Sequence, residues 1–177
     1  MVAFLAPSLR RLEDCPAELA VFFCFEELRP FQGILSRVDW RLHGRLSKKM
    51  IEGFFGGERL APLLVLPGKL LPVPYILLMG LGDRHTFDKG DFTEAVTRAF
   101  EVQSALKVRR AAMALPGRIE NQIEAENAME WFIEAYDRCA ADIEEVFLLE
   151  LPAHQKAMTP ALERWRLRRL IPGFTPA

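Results

Sequence analysis

The feature that most restricts the possible folds is an apolar run near the start of the chain, AELAVFFCF at residues 17–25. It is rich in residues that favour strands, and Glu18 is its only charged residue. A run of this kind is typical of a strand buried on both faces, as in the middle of a parallel sheet. Because such a sheet is covered by helices on both sides, the run predicts an α/β protein.

Helix and strand patterns alternate along the rest of the chain. In the predicted helices, apolar residues recur every three or four positions, whereas the predicted strands are short apolar runs. The helices are expected at residues 34–55, from near Asp91, at 120–141 and from Thr159–Pro160, and the further strands at 62–66, 74–81, 111–115 and 146–151. The strands at 62–66 and 74–81 read as a hairpin or an adjacent pair. This order predicts one domain over residues 1–177, an α/β three-layer sandwich with a mixed, largely parallel sheet and helices on both faces.

Composition and charge argue against several classes of protein. The formal net charge is −1, which offers no general attraction for nucleic acid or acidic lipid. Cys15, Cys24 and Cys139 are odd in number and form no Cys-x-x-Cys pair, so neither a disulfide framework nor a zinc site is predicted. The most apolar region, residues 60–82, contains Lys69 and four prolines, and the N-terminal charges follow a short apolar stretch, unlike a secretory signal. We expect a cytoplasmic protein that binds neither membrane nor nucleic acid.

The sequence shows no arrangement typical of a catalytic centre. His43, His85 and His154 are far apart, with no His-x-x-x-His spacing, and there is no Gly-x-Ser-x-Gly segment. The carboxylates between residues 120 and 137 alternate with apolar residues of a predicted helix and most simply form its solvated side. We therefore expect no catalytic residue, no metal and no cofactor.

The stretch GLGD at residues 80–83 allows two interpretations. Gly80 and Gly82 could bring backbone N–H groups close to a phosphate, with a helix N-terminus nearby. Against this, the third glycine of the dinucleotide fingerprint is absent, and Asp83 would repel a phosphate. The turn is predicted to be mainly a hinge, and Gly80, Gly82 and Asp83 remain candidates for ligand binding.

An arginine cluster near the C-terminus surrounds a tryptophan. Arg164, Arg166, Arg168 and Arg169 flank Trp165 and could form a nucleic-acid or partner surface. Cations at the end of a helix also complement its dipole without any partner. Since tryptophan and arginine are common interface anchors, a protein partner is favoured, with Trp165 and Arg168 as the interface candidates.

Three segments follow one another in a recognisable order. They are DWRLHGRLSKKMIEGFFGGERLAPLLVLPG at residues 39–68, YILLMGLGDR at 75–84 and FTEAVTRAFEVQSALKVRRAAMALP at 92–116. In this order they resemble the N-terminal domain of the leucyl aminopeptidase family of metallopeptidases, and the resemblance covers roughly residues 16–151. It implies an α/β fold like that of macro domains, which are known for binding ADP-ribose.

The resemblance carries over no chemistry. In that family a further domain supplies a lysine and acidic ligands to two divalent metals, and those motifs do not occur in this sequence. The glycine-rich phosphate loop of macro domains is not recognisable either, since the strand that ends at Leu115 is followed by PGRIENQ, with one glycine. The Gly-Leu-Gly tripeptide occurs in the family without a catalytic role, which favours the hinge.

The resemblance implies a non-catalytic domain that acts in protein association or regulation, as a homo-oligomer or with a protein partner. Two alternatives stay open. One is a macro-domain-type binder of a nucleotide or an ADP-ribose-like ligand, and the other is a separate subunit of a metal-dependent aminopeptidase.

Overall fold

The computed structural model describes residues 1–27, 29–139 and 142–171. These residues form six strands, six α-helices and one short 3-10 helix at Gly68–Leu70. The strands are β1 (Val2–Leu5), β2 (Leu19–Cys24), β3 (Pro62–Val65), β4 (Tyr75–Gly80), β5 (Arg110–Met113) and β6 (Glu145–Leu149). The helices are α1 (Leu9–Glu13), α2 (Gly33–Arg41), α3 (Arg45–Ile51), α4 (Lys89–Ala105), α5 (Ala125–Cys139) and α6 (Pro152–Leu170).

The strands form one sheet in the order β1-β6-β5-β2-β4-β3. Every neighbouring pair is parallel except β3 with β4, which is antiparallel. All six residues of β2 are buried, as the apolar run predicts. Its alternate residues enter two separate cores, with Leu19, Val21 and Phe23 on one face and Ala20, Phe22 and Cys24 on the other.

The two cores define three layers. The core that contains Val21 is covered by α4, α5 and α6, and the core that contains Phe22 is covered by α1, α2 and α3. The predicted three-layer α/β sandwich with a mixed, largely parallel sheet is therefore confirmed. None of the helices in the described part of the chain has the length and apolarity needed to cross a bilayer.

Four helix boundaries differ from the sequence prediction, one of them at α5, which begins at Ala125 and not at residue 120. The helix expected at 34–55 is split, because His43 and Gly44 have φ values of 56° and 73°. The carboxylate of Asp39 accepts hydrogen bonds from the N–H groups of Leu46 (2.8 Å) and Ser47 (3.2 Å), so it caps α3 from within α2. These two bonds give partners to backbone N–H groups in the first turn of α3, and they therefore stabilise the break between α2 and α3.

The other two differences concern helix starts. The N-cap of α4 is Asp88, which exchanges capping bonds with Asp91 in the first turn of the helix. Helix α6 begins at Pro152, so Thr159 and Pro160 lie inside it. The Thr159 hydroxyl donates to the Gln155 carbonyl at 2.7 Å instead of capping a helix.

Candidate functional site

The carboxyl ends of the parallel strands lie on one side of the sheet. We call this region, which consists of the ends of β2, β4, β5 and β6 and the loops that follow them, the carboxyl edge. Open α/β sheets place their ligand sites in crevices at this edge. It contains the GLGD turn, which follows β4, and a cleft beside β5 and β6.

Three backbone N–H groups of the GLGD turn, those of Gly80, Leu81 and Gly82, already have partners. The Gly80 N–H donates to the Ala61 carbonyl, the Leu81 N–H to the Cys24 carbonyl and the Gly82 N–H to the Gly57 carbonyl, each at 2.9 Å. A Cβ atom on Gly80 would overlap the carbonyl oxygen of Glu58, and Gly82 has a φ of 75°. The glycines are therefore required by the close approach of two protein segments, and in this conformation they present no free N–H group to an anion.

Asp83 lies at the exposed end of the same turn. One of its carboxylate oxygens accepts the His85 N–H at 2.7 Å, and its carbonyl accepts the Thr86 hydroxyl at 3.3 Å. Asp83 thus orders the start of the loop that leads to α4. Ligand binding by Gly80, Gly82 and Asp83 stays a prediction, and of the three only Asp83 offers an exposed side chain.

The cleft beside β5 and β6 has a volume of about 140 Å³. It is bordered by the loop after β5, with Arg118 and Asn121, by the end of β6 at Glu150, and by the first turns of α2, with Gly33 and Arg37. Four of these residues have polar side chains, and two of the four are cationic guanidinium groups. The cleft is therefore a small, partly open space with cationic groups along its wall.

A buried ion pair forms the floor of the cleft. The Arg118 Nε donates to a Glu150 carboxylate oxygen at 2.8 Å, and both side chains are almost fully buried. The Arg118 guanidinium also contacts His154 Nδ1 at 2.8 Å and donates to the Ile123 carbonyl. The second Glu150 oxygen accepts the Leu151 N–H at 2.9 Å. These bonds compensate the burial of both charges and hold the ends of β5 and β6 together.

The wall of the cleft formed by α2 is positive, with a partial charge from the helix N-terminus and a full charge from Arg37. The N-cap residue Gln32 makes no side-chain capping bond, and the first turn contains no acidic residue. Arg37 is exposed and forms no ion pair with any carboxylate of the described residues. A helix N-terminus and a free guanidinium on the same wall favour an anionic group.

Glu120 adds a titratable group to the loop after β5. Burial raises the pKa of its carboxyl group from 4.5 to about 7, against the opposing effect of the Arg84 guanidinium. Burial also raises the pKa of the nearby Cys24 thiol to about 12. Glu120 therefore changes charge near neutral pH, whereas Cys24 stays a thiol and is a poor nucleophile.

The residues considered for chemistry are not brought together. His43 lies at the break between α2 and α3, His85 is exposed in the loop before α4, and His154 joins the buried ion pair. Within residues 1–27, 29–139 and 142–171, no group of three or more histidine, cysteine, aspartate or glutamate side chains could hold a metal ion.

The two predicted interface residues lie in different surroundings. Trp165 is only 4% exposed, its indole N–H donates to the Asp137 carboxylate at 2.9 Å, and its ring packs edge-on against Tyr136 at 5.4 Å. Trp165 therefore joins α6 to α5 within the core. Arg168 is exposed and borders a shallow groove with Arg164, which lies 3.7 Å from Glu130. An interface role stays a prediction, and Arg168 is the member of the pair that a partner could reach.

The buried ion pair was missed by the sequence prediction. Arg118 follows Pro116–Gly117 and Glu150 ends the run VFLLEL, so each is a charged residue just after a predicted strand. That position was the only signal, since residues after parallel strands meet at one edge of a sheet.

Comparison with known proteins shows similarity both to the aminopeptidase family and to macrodomains. A family model described as the cytosol aminopeptidase family, N-terminal domain, matches residues 21–138. A tomato leucine aminopeptidase variant is 15% identical over 93% of this chain, with a TM-score of 0.65. The chain spans 36% of the length of that aminopeptidase.

Macrodomain structures are similar over most of the chain. An Oceanobacillus iheyensis macrodomain variant is 11% identical and has a TM-score of 0.70, with 96% of this chain and 92% of the macrodomain chain covered. A Trypanosoma brucei macrodomain in complex with ADP is 10% identical and has a TM-score of 0.71, with 91% and 68% covered. At these identities the likeness concerns the fold.

Proposed function

Because this chain belongs to the cytosol aminopeptidase family through its N-terminal domain, we propose that it acts by protein association or regulation and performs no peptidase chemistry of its own. The proposal places it in the cytoplasm, where its three free cysteines would stay reduced. A two-metal peptidase needs ligands fixed around a bridging nucleophile, and the described residues offer no such cluster.

One observation carries the association proposal. Between residues 40 and 66 the chain exposes several large apolar side chains, including Trp40 at 73%, Ile51 at 80% and Phe54 at 70%. Isolated exposed apolar residues are ordinary, but aromatic side chains exposed to this extent are enriched at protein interfaces. We infer that the α2–α3 side of the molecule meets a partner.

Sedimentation velocity at several concentrations tests this role. We expect the wild type to associate, and the double variant Trp40→Ser, Phe54→Ser to associate at least tenfold more weakly, because truncation of interface anchors costs about 2 kcal/mol or more. Leu170→Ser, at an equally exposed apolar side chain on α6, is the matched control. An Arg168→Ala variant tests the α6 surface in the same way.

Two results bear on separate parts of the proposal. If the purified chain hydrolyses leucyl amides when zinc or manganese is added, the claim that it performs no peptidase chemistry is wrong. A wild type that stays monomeric at every concentration would exclude self-association and leave only association with another protein.

A second candidate function is supported by the cleft at the carboxyl edge. Its positive wall, formed by Arg37 and the N-terminus of α2, fits an anionic group such as a phosphate. One structure of similar fold is a macrodomain in complex with ADP. By this reading the chain binds a nucleotide or an ADP-ribose-like molecule at the cleft.

A thermal-shift titration separates the two candidates. If the cleft binds such a ligand, millimolar ADP should raise the melting temperature saturably, and adenosine, which lacks the phosphates, should not. Arg37→Gln should abolish the shift, whereas Arg10→Gln, a similarly exposed arginine on α1, should leave it unchanged. Equal shifts in both variants would place any binding outside the cleft.

A further inference from the structure

Strand β3 is an outer strand of the sheet, and its outer side has open hydrogen-bonding groups. The Gly80 N–H donates to the Ala61 carbonyl, and the groups of an antiparallel ladder alternate in direction. Leu63 and Val65 therefore direct their backbone groups to β4, and Leu64 directs its N–H and C=O away from the sheet. Neither outward group of Leu64 has a partner among the described residues.

The opposite edge of the sheet is protected at only one of the two outward-facing residues of β1, since the outward groups of Phe4, like those of Leu64, have no partner among the described residues. There the outward carbonyl of Val2, in β1, accepts a hydrogen bond from the Arg166 guanidinium of α6. At β3 the corresponding protection reaches only the residue after the strand, where Arg45 donates to the Leu66 carbonyl at 3.2 Å. Strand β3 is short and begins with Pro62, which limits pairing at its start, but the outward groups of Leu64 stay open. An open stretch of an outer strand is a template for pairing with another chain.

A groove lies beside this strand. It has a volume of about 420 Å³ and is lined by α3 and β3, and we call it the edge groove; its lining residues are Arg45, Lys48, Lys49, Glu52 and Leu63–Leu66. Leu64 and Leu66 are 39% and 62% exposed, so the groove also presents apolar surface.

The charge of the edge groove is positive although the chain as a whole carries −1. Lys48 and Lys49 share one carboxylate, Glu52, at 3.8 Å and 3.6 Å, and Arg45 contacts no carboxylate among the described residues. Three cations therefore face one anion. Two copies joined through β3 would bring these cations together, so the charge disfavours a second copy and favours an acidic partner.

We propose that the edge groove binds an extended acidic segment of another protein, which adds as a strand to β3. The partner's backbone would pair with the outward groups of Leu64, its apolar side chains would contact Leu64 and Leu66, and its carboxylates would meet Lys48 and Lys49. A four-residue strand spans roughly 13 Å, so the bound segment is about four to six residues long. The proposal rests on the association function inferred above and specifies the chemistry of the partner.

A labelled decapeptide of alternating glutamate and valine, measured by fluorescence anisotropy, tests the proposal. We expect saturable binding that weakens as salt is added, and no binding of the matched lysine and valine peptide. Leu64→Pro removes the outward N–H at a position where an outer strand tolerates proline, and it should weaken binding about tenfold or more. Leu64→Ala keeps that N–H and should weaken binding less.

Charge variants provide a test that does not depend on the Leu64→Pro variant. Lys48→Glu with Lys49→Glu should weaken binding of the acidic peptide at least tenfold, whereas Lys156→Glu, at an exposed position on α6, should change it less than twofold. This pair of variants decides the question if Leu64→Pro does not fold, as judged by circular dichroism.

The remaining outcomes separate this proposal from the association function. If the acidic peptide fails to bind, or binds Leu64→Pro as well as wild type, the acidic-segment proposal is wrong. If Leu64→Pro instead abolishes self-association of the wild type in sedimentation, β3 pairs with a second copy, which overturns the acidic partner and keeps the association function. If the acidic peptide does not bind and Leu64→Pro leaves self-association intact, the acidic-segment proposal is wrong. The association function then stands, at a surface other than β3.

Discussion

Glu120 should make the stability of the protein depend on pH in the opposite sense from a paired carboxylate. Its folded pKa, about 7, lies above the unfolded value of 4.5 because the carboxyl group is buried. The folded state therefore retains a proton that the unfolded state releases, and stability falls as pH rises from 4.5 through 7. Below pH 4.5 both states are protonated, so the effect disappears.

The magnitude follows from the size of the shift. One pKa unit corresponds to about 1.4 kcal/mol, so the full shift from 4.5 to about 7 would cost about 3.5 kcal/mol above pH 7. The Glu120 side chain is largely but not fully buried, so solvent screening reduces this cost to about 1–2 kcal/mol. Glu120→Gln removes the titration and should stabilise the protein by that amount at pH 8, with no gain near pH 4.5.

Urea unfolding at half-unit steps from pH 4.5 to 8 measures this difference. Glu163→Gln, at an exposed carboxylate on α6, controls for general effects of charge. A gain from Glu120→Gln that does not change with pH, or a loss of stability at pH 8, would refute the assignment of a buried, raised-pKa carboxyl group.

Four further substitutions should separate the structural elements of the carboxyl edge and α6. Arg118→Met leaves the Glu150 carboxylate buried without its partner, so urea unfolding should show a loss of about 3–5 kcal/mol, most of which a second change, Glu150→Leu, should restore. Gly80→Ala should lower the urea midpoint strongly, because the added methyl group overlaps backbone that cannot move as a flexible side chain would. Trp165→Ala should cost about 3–5 kcal/mol and Arg168→Ala within about 0.5 kcal/mol, since only the first empties part of the core. Similar losses for both would show that exposure does not distinguish their roles.

The layers of the fold could be predicted because they depend on local apolar patterns. The run at β2 indicated a strand buried on both faces, and the helical stripes after it indicated the covering layers. The break between α2 and α3 depends on a bond between Asp39 and residues seven and eight positions later, in a turn with left-handed backbone at His43. The apolar period continues across this turn, so the pattern alone predicts one continuous helix over residues 34–55.

The start of α6 shows a different limit. Pro152 and Pro160 are both compatible with the first turn of a helix, and Thr159 adds a hydroxyl that favours the second. The helix nevertheless runs through Pro160, and the residues that follow, Leu162 and Trp165, are buried in the core. Burial of these side chains offsets the backbone bond that proline cannot make, and tertiary contacts of this kind are not visible in a local pattern.

The ion pair of Arg118 and Glu150 was beyond a local pattern for a topological reason. The two residues are 32 positions apart and meet only because β5 and β6 are neighbours in the sheet. Neither the helical period nor a motif specifies that adjacency. A predicted strand order would have brought both residues to one edge and identified the floor of the cleft.

The GLGD turn explains why a glycine pattern at the end of a strand is ambiguous. A phosphate loop and a crossing of two protein segments both need backbone without a Cβ atom, so both select glycine. They differ in the partners of the N–H groups. A phosphate loop keeps its N–H groups for the ligand, whereas here those of Gly80, Leu81 and Gly82 bond to protein carbonyls. If the carboxyl edge binds an anion, we therefore expect Arg37 and the first turn of α2 to hold it.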